Sequence, residues 1–155
     1  MTDYFLLKTL HILSAVVLMG TGSGIAFFML MAVLSRSQET IRNVSRIVIL
    51  ADWLFTAPAV LVQLISGVWL MSLLNVSFTS PWFLTVAALF ILIGCCWLPV
   101  VWIQYQLHRE ACMENGFLSA RFKRLMRLWI VLGIPAFAAM LVLFLLMVAK
   151  PLAVI

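Results

Sequence analysis

Four apolar runs, at residues 4–34, 44–74, 81–107 and 124–149, occupy nearly all of this 155-residue chain. Each exceeds the roughly 20 residues that a helix needs to cross a bilayer's hydrocarbon core. Lipid offers no partner to backbone N–H and C=O groups, so a spanning segment is either a helix or part of a closed barrel. None of the four runs shows the period-two alternation of barrel strands. The reading is all-α: a polytopic four-helix transmembrane bundle forming one domain over residues 1–155. The short connections, 35–43, 75–80 and 108–123, make sequential helices antiparallel neighbours and leave no room for a soluble domain.

Composition agrees. Hydrophobic residues make up 66% of the chain and charged residues only 10%, with a mean hydropathy of +1.20, where a soluble domain carries roughly 25% charged residues. The first run is too long for a cleavable signal and lacks a small-residue cleavage site, so it is expected to be retained.

The net charge of +5 is a topology signal. Arg36, Arg42 and Arg46 flank the first connection, and Arg109, Arg121, Lys123, Arg124 and Arg127 the third, which is eight of the ten basic residues. Basic residues stay cytoplasmic, so both termini are expected outside, in a bacterial cytoplasmic (inner) membrane. The same cluster suits anionic lipid headgroups, and no nucleic-acid partner is expected. Cys95 and Cys96 lie about 100° apart around one helix and do not face a common metal. Glu110 and Glu114, one turn apart in a basic connection, are expected to be solvated. The chain has no phosphate-binding glycine loop and no zinc-protease motif.

Polar groups inside the spans are costly and mark candidate sites. His11 lies about 10 Å below the end of its helix on the termini's side, at 1.5 Å per residue. Asp52 falls in the opposite half, too far from His11 to form an acid–base couple with it, and has two readings: an interhelical ion pair with Arg46 or Arg127, the expected one, or a proton-relay carboxyl. Gln63 sits near mid-span with Thr56, Pro58 and Ser66 around it, whereas Gln104 and Gln106 approach the basic end. Gly22, in the small-residue patch 20–24, shares a helix face with His11 and would admit a neighbouring helix or a flat cofactor. His11 has three readings: a hydrogen-bonded interhelical residue, a proton-transfer group, or an axial ligand to haem. No second intramembrane histidine exists, which leaves Met140 and Met147 as thioether candidates for a sixth ligand.

Leu7-Lys8-Thr9-Leu10-His11-Ile12, Thr56-Ala57-Pro58-Ala59 with Gly67-Val68-Trp69-Leu70, and Val148-Ala149-Lys150-Pro151 resemble stretches of HemJ-type protoporphyrinogen oxidases. Those are small bacterial membrane proteins that bind haem b. The resemblance implies a b-type redox module in which His11 ligates iron, Gly22 or Gly67 gives the macrocycle room, and Lys150 pairs with a propionate. It also implies a quinone or other redox partner. The lysine that this family carries shortly after a tryptophan is not matched, because Trp82 is followed by Phe83, Leu84, Thr85 and Val86. Closer still is the resemblance to an uncharacterised family of bacterial integral membrane proteins, carried by Ala51-Asp52-Trp53-Leu54-Phe55, Cys96-Trp97-Leu98-Pro99-Val100-Val101-Trp102 and Pro135-Ala136-Phe137. Two other classes remain open. One is an accessory or assembly subunit of a membrane complex. The other is a small transporter lined by Asp52 and Gln63, which four helices would need to oligomerise to enclose.

Overall fold

In the computed structural model, which describes residues 2–113 and 119–149, the chain forms four long helical spans. Helix α1 is Thr2–Leu34. The second span is a composite of α2 (Gln38–Ala51), a π-helical turn (Asp52–Thr56) and α3 (Ala57–Leu73). Helices α4 (Pro81–Ala111) and α5 (Ala120–Ala149) complete the set, and no strand occurs among the described residues.

Three helix starts are fixed by serines. The hydroxyls of Ser37, Ser80 and Ser119 accept from the backbone N–H groups of Thr40, Phe83 and Phe122, and Pro81 follows Ser80 at a position where its missing N–H costs nothing. Two ends rest on left-handed residues, Arg36 with φ 52° and Asn75 with φ 50°. At the second, Val76 N–H bonds the Met71 carbonyl in a Schellman-type closure.

The second span begins six residues before the expected 44, at Gln38. Hydropathy marks where lipid starts, whereas this helix begins earlier on an amphipathic turn that buries Ile41, Ser45 and Val48 and exposes Glu39, Arg42 and Arg46. The last span likewise starts at Ala120, four residues ahead of 124.

Packing is uneven along the bundle axis. At the basic end, Ile25, Met29 and Ala32 of α1, Ile41 and Val48 of α2, Ile103, Leu107 and Ala111 of α4, and Phe122, Leu125, Met126 and Trp129 of α5 form one core. Toward the termini the spans separate into two pairs. Helix α1 packs along α3 and α5 along α4, while no comparable packing joins α3 to α4 or α5. On α1 the buried stripe Leu7, Ser14, Leu18, Ile25, Met29, Ala32 runs in steps of seven, four and three, the seam of a left-handed helix pair.

Polar ties close the basic end. His108 Nδ1 lies 2.9 Å from Ser45 Oγ, and Gln38 Nε2 donates to the Ala111 and Met113 carbonyls. Glu110 is buried rather than solvated as expected: Arg121 Nη1 stands 3.3 Å from its Oε1, and Ser119 donates to Oε2 at 3.0 Å. The cause is α5, which starts early enough to fold the two groups onto the end of α4.

Candidate functional site

Among the described residues, two polar clusters within the apolar spans hold the candidate groups. The first joins α1 to α3 around His11. Ser14 follows His11 by three residues and Ser66 follows Gln63 by three, so each pair shares a helix face, and the α1–α3 seam brings the faces together. His11 Nδ1 is 2.8 Å from Ser66 Oγ and its Nε2 is 3.0 Å from Gln63 Nε2. Ser14 Oγ bonds the Gln63 amide oxygen and lies 2.9 Å from the His11 carbonyl, and Ser66 Oγ donates to the Val62 carbonyl.

Every group in this cluster is satisfied in two opposite proton arrangements. In one, Ser14 O–H donates to Gln63 Oε1, Gln63 N–H to His11 Nε2, His11 Nδ1–H to Ser66 Oγ, and Ser66 O–H to the Val62 carbonyl. Turning the Gln63 amide over reverses the order. Ser66 O–H then donates to Nδ1, Nε2–H to the amide oxygen, the amide N–H to Ser14 Oγ, and Ser14 O–H to the His11 carbonyl. A doubly protonated ring is satisfied as well, through the first arrangement on the Nδ1 side and the second on the Nε2 side.

Gly67 borders the ring: a Cβ there would come within 3.2 Å of His11 Cε1. It gives the imidazole room against α3, a different role from the space for a macrocycle that the resemblance implied. Gly22 does not join the site, since a Cβ on it would meet nothing within 4 Å. Lys150 lies outside the described residues. The cluster as arranged does not fit an axial haem ligand, because both ring nitrogens are engaged and the α3 backbone closes on the carbon between them. Iron at Nε2 would require the Gln63 amide to leave.

The second cluster surrounds Asp52 on the π-helical turn. The next turn carries Pro58, which has no N–H to give and whose ring would clash with the carbonyl four residues back in a regular helix. Widening the preceding turn relieves that clash, and such turns recur at functional sites. Asp52 is 3% exposed, and its Oδ1 accepts from Trp97 Nε1 at 3.3 Å. Its other neighbours are the side chains of Thr56 and Gln104. The expected pairing with Arg46 or Arg127 does not occur. Arg46 is six residues away, about 120° around the helix from Asp52, and both arginines are exposed; the one ion pair among the described residues is Arg121–Glu110.

Eleven residues separate Asp52 from Gln63, about 16 Å along the helix axis, and the two clusters share no partner. No group of three or more His, Cys, Asp or Glu residues placed to hold a metal occurs among the described residues. Sequence reasoning missed Ser14, whose signal was its three-residue offset from His11, and the meeting of Gln104 with Asp52, which needs the register between two spans.

No curated protein and no solved structure matches the chain. A family described as predicted integral membrane protein, DUF2269, matches residues 5–151. With that match spanning nearly the whole chain, and four helices long and apolar enough to cross a bilayer, the protein belongs to the DUF2269 family of integral membrane proteins.

Proposed function

We propose that this is a multi-pass protein of the bacterial cytoplasmic membrane whose functional group is His11, acting as a proton-relay centre between α1 and α3. The observation that carries this reading is the reversible hydrogen-bond chain, which satisfies the ring in either tautomer and when doubly protonated, so that gain or loss of a proton at His11 leaves no group of the cluster unsatisfied. Histidine suits the task because both ring nitrogens exchange protons under physiological conditions.

Nuclear magnetic resonance of 15N-histidine-labelled protein in bilayers tests the relay. The chain holds two histidines, so His108→Gln leaves His11 as the remaining signal. Exchange between the Nδ1–H and Nε2–H tautomers is the expected result; one fixed tautomer would reduce His11 to a clasp between helices. The rival reading is haem b at His11, trading electrons with a quinone or another redox partner, with Gln63 displaced. An optical spectrum scores it: a Soret band present in the wild type and lost in His11→Ala would replace the relay with the haem module.

The arginine distribution supports placing both termini outside. Cys112 is exposed at the basic end of α4. A membrane-impermeant maleimide is expected to label it in inverted vesicles and not in intact spheroplasts. The opposite pattern reverses the topology.

A further inference from the structure

Asp52 sits inside the second span, 3% exposed, where nothing balances a charge. The one ion pair among the described residues, Arg121–Glu110, is at the basic end. The elements packed on the π-helical turn bring no cation to the carboxyl. The chain carries no charged residue between Lys8 and Arg36, and the titratable group of α1 in that stretch, His11, bonds Gln63 and Ser66. On α2, Glu39, Arg42 and Arg46 are exposed, and α3 has no titratable residue. On α4, Cys95 and Cys96 bring no positive charge, Tyr105 accepts from Trp53 Nε1 at 2.8 Å, His108 is tied to Ser45, Arg109 is exposed and Glu110 holds Arg121. An uncompensated carboxylate in the hydrocarbon region costs far more than a proton placed on the group.

The hydrogen bonding points the same way. A buried carboxylate that keeps its charge is held by two or three donors, in bonds of about 2.7–2.9 Å when the donor nitrogen is charged or the acceptor ionised. Asp52 Oδ1 receives a single N–H, from Trp97 Nε1, at the longer distance of 3.3 Å, and Oδ2 is left without a hydrogen bond. The indole nitrogen only donates, so Oδ1 is the accepting oxygen and a proton on the carboxyl belongs on Oδ2. The buried polar side chains on the flanking faces suit a neutral acid. Thr56 lies four residues on along the same helix, and Gln104 lies two turns beyond Trp97 on the same face of α4. Both are uncharged, and both carry an oxygen able to accept from an O–H.

We propose that Asp52 is a second proton-binding site within the membrane, a neutral acid at neutral pH whose Oδ1 accepts from Trp97 and whose Oδ2 carries the proton. It shares no partner with the His11 cluster and stands whether or not the relay there does.

Carbon-13 nuclear magnetic resonance of the whole protein in bilayers, labelled at the aspartate side-chain carboxyl, tests this without altering Asp52. The chain holds two aspartates, and Asp3 is exposed, so Asp3→Asn assigns the signals and Asp3 serves as the carboxylate reference. At neutral pH Asp52 is expected at the chemical shift of a protonated acid and Asp3 at that of a carboxylate. Two carboxylate signals would overturn the proposal. Infrared difference spectra locate the proton. Asp52→Asn, which keeps the shape of the neutral acid, is expected to remove an acid C=O band. Trp97→Phe is expected to retain that band and move it to higher frequency, because the carbonyl oxygen loses its hydrogen bond. A band left in place by Trp97→Phe would overturn the assignment of the proton to Oδ2, and loss of a carboxylate stretch in Asp52→Asn would overturn the neutral acid itself.

Discussion

Replacing Leu107 with alanine is expected to destabilise the bundle by about 2–5 kcal/mol, the range for deleting a buried leucine side chain. Leu107 is fully buried at the basic end, where residues of α1, α2, α4 and α5 form one core. Lipid tails are as apolar as leucine, so the loss comes from missing van der Waals contacts rather than from water exclusion, which favours the lower half of that range. Leu98→Ala is the matched control. Its side chain is 65% exposed on the same helix, and its removal is expected to change stability by no more than about 0.5 kcal/mol. Reversible unfolding in mixed lipid–detergent micelles measures both. Equal effects would show that α4 is not held at the basic end in the way described.

The second large effect is expected at Gln63. Leucine in its place is close in size but removes the partner of both His11 Nε2 and Ser14 Oγ. Two interhelical bonds go together, each worth about 0.6 kcal/mol on average and up to about 1.7 in membrane bundles, for an expected cost of about 1–2 kcal/mol. A double-mutant cycle with Ser14→Ala isolates the shared bond, and a coupling near zero would sink the chain drawn through Gln63. The same variant is expected to abolish tautomer exchange at His11 while the helical circular dichroism stays intact. That outcome separates loss of the relay from loss of the fold.

The spans were legible because lipid imposes a length and a composition that a sequence cannot disguise. Their ends were less so. The first turns of α2 and α5 are helical for reasons of capping and local packing, at Ser37 and Ser119, where hydropathy is silent. His11 and Gln63 each stood out as polar groups at depth, but their meeting depends on the axial offset of α1 against α3, which no single-helix periodicity encodes. Asp52 shows the opposite failure. Opposite charges at similar depth suggested Arg46 and Arg127, yet direction around the helix decided otherwise, and the carboxyl turns toward Trp97 and Gln104. The π-helical turn left one trace in the sequence, the proline just beyond it.

The uneven packing has a mechanical consequence. With the spans fastened at the basic end and paired two by two toward the termini, the molecule resembles a pair of tongs whose jaws are α1–α3 and α4–α5. The 74–80 connection links the jaw tips through turns closed by the Val76–Met71 and Ser80–Ser77 backbone bonds. Lateral pressure in the leaflet that surrounds the tips is therefore expected to bear on the gap between the jaws more than on the fastened basic end.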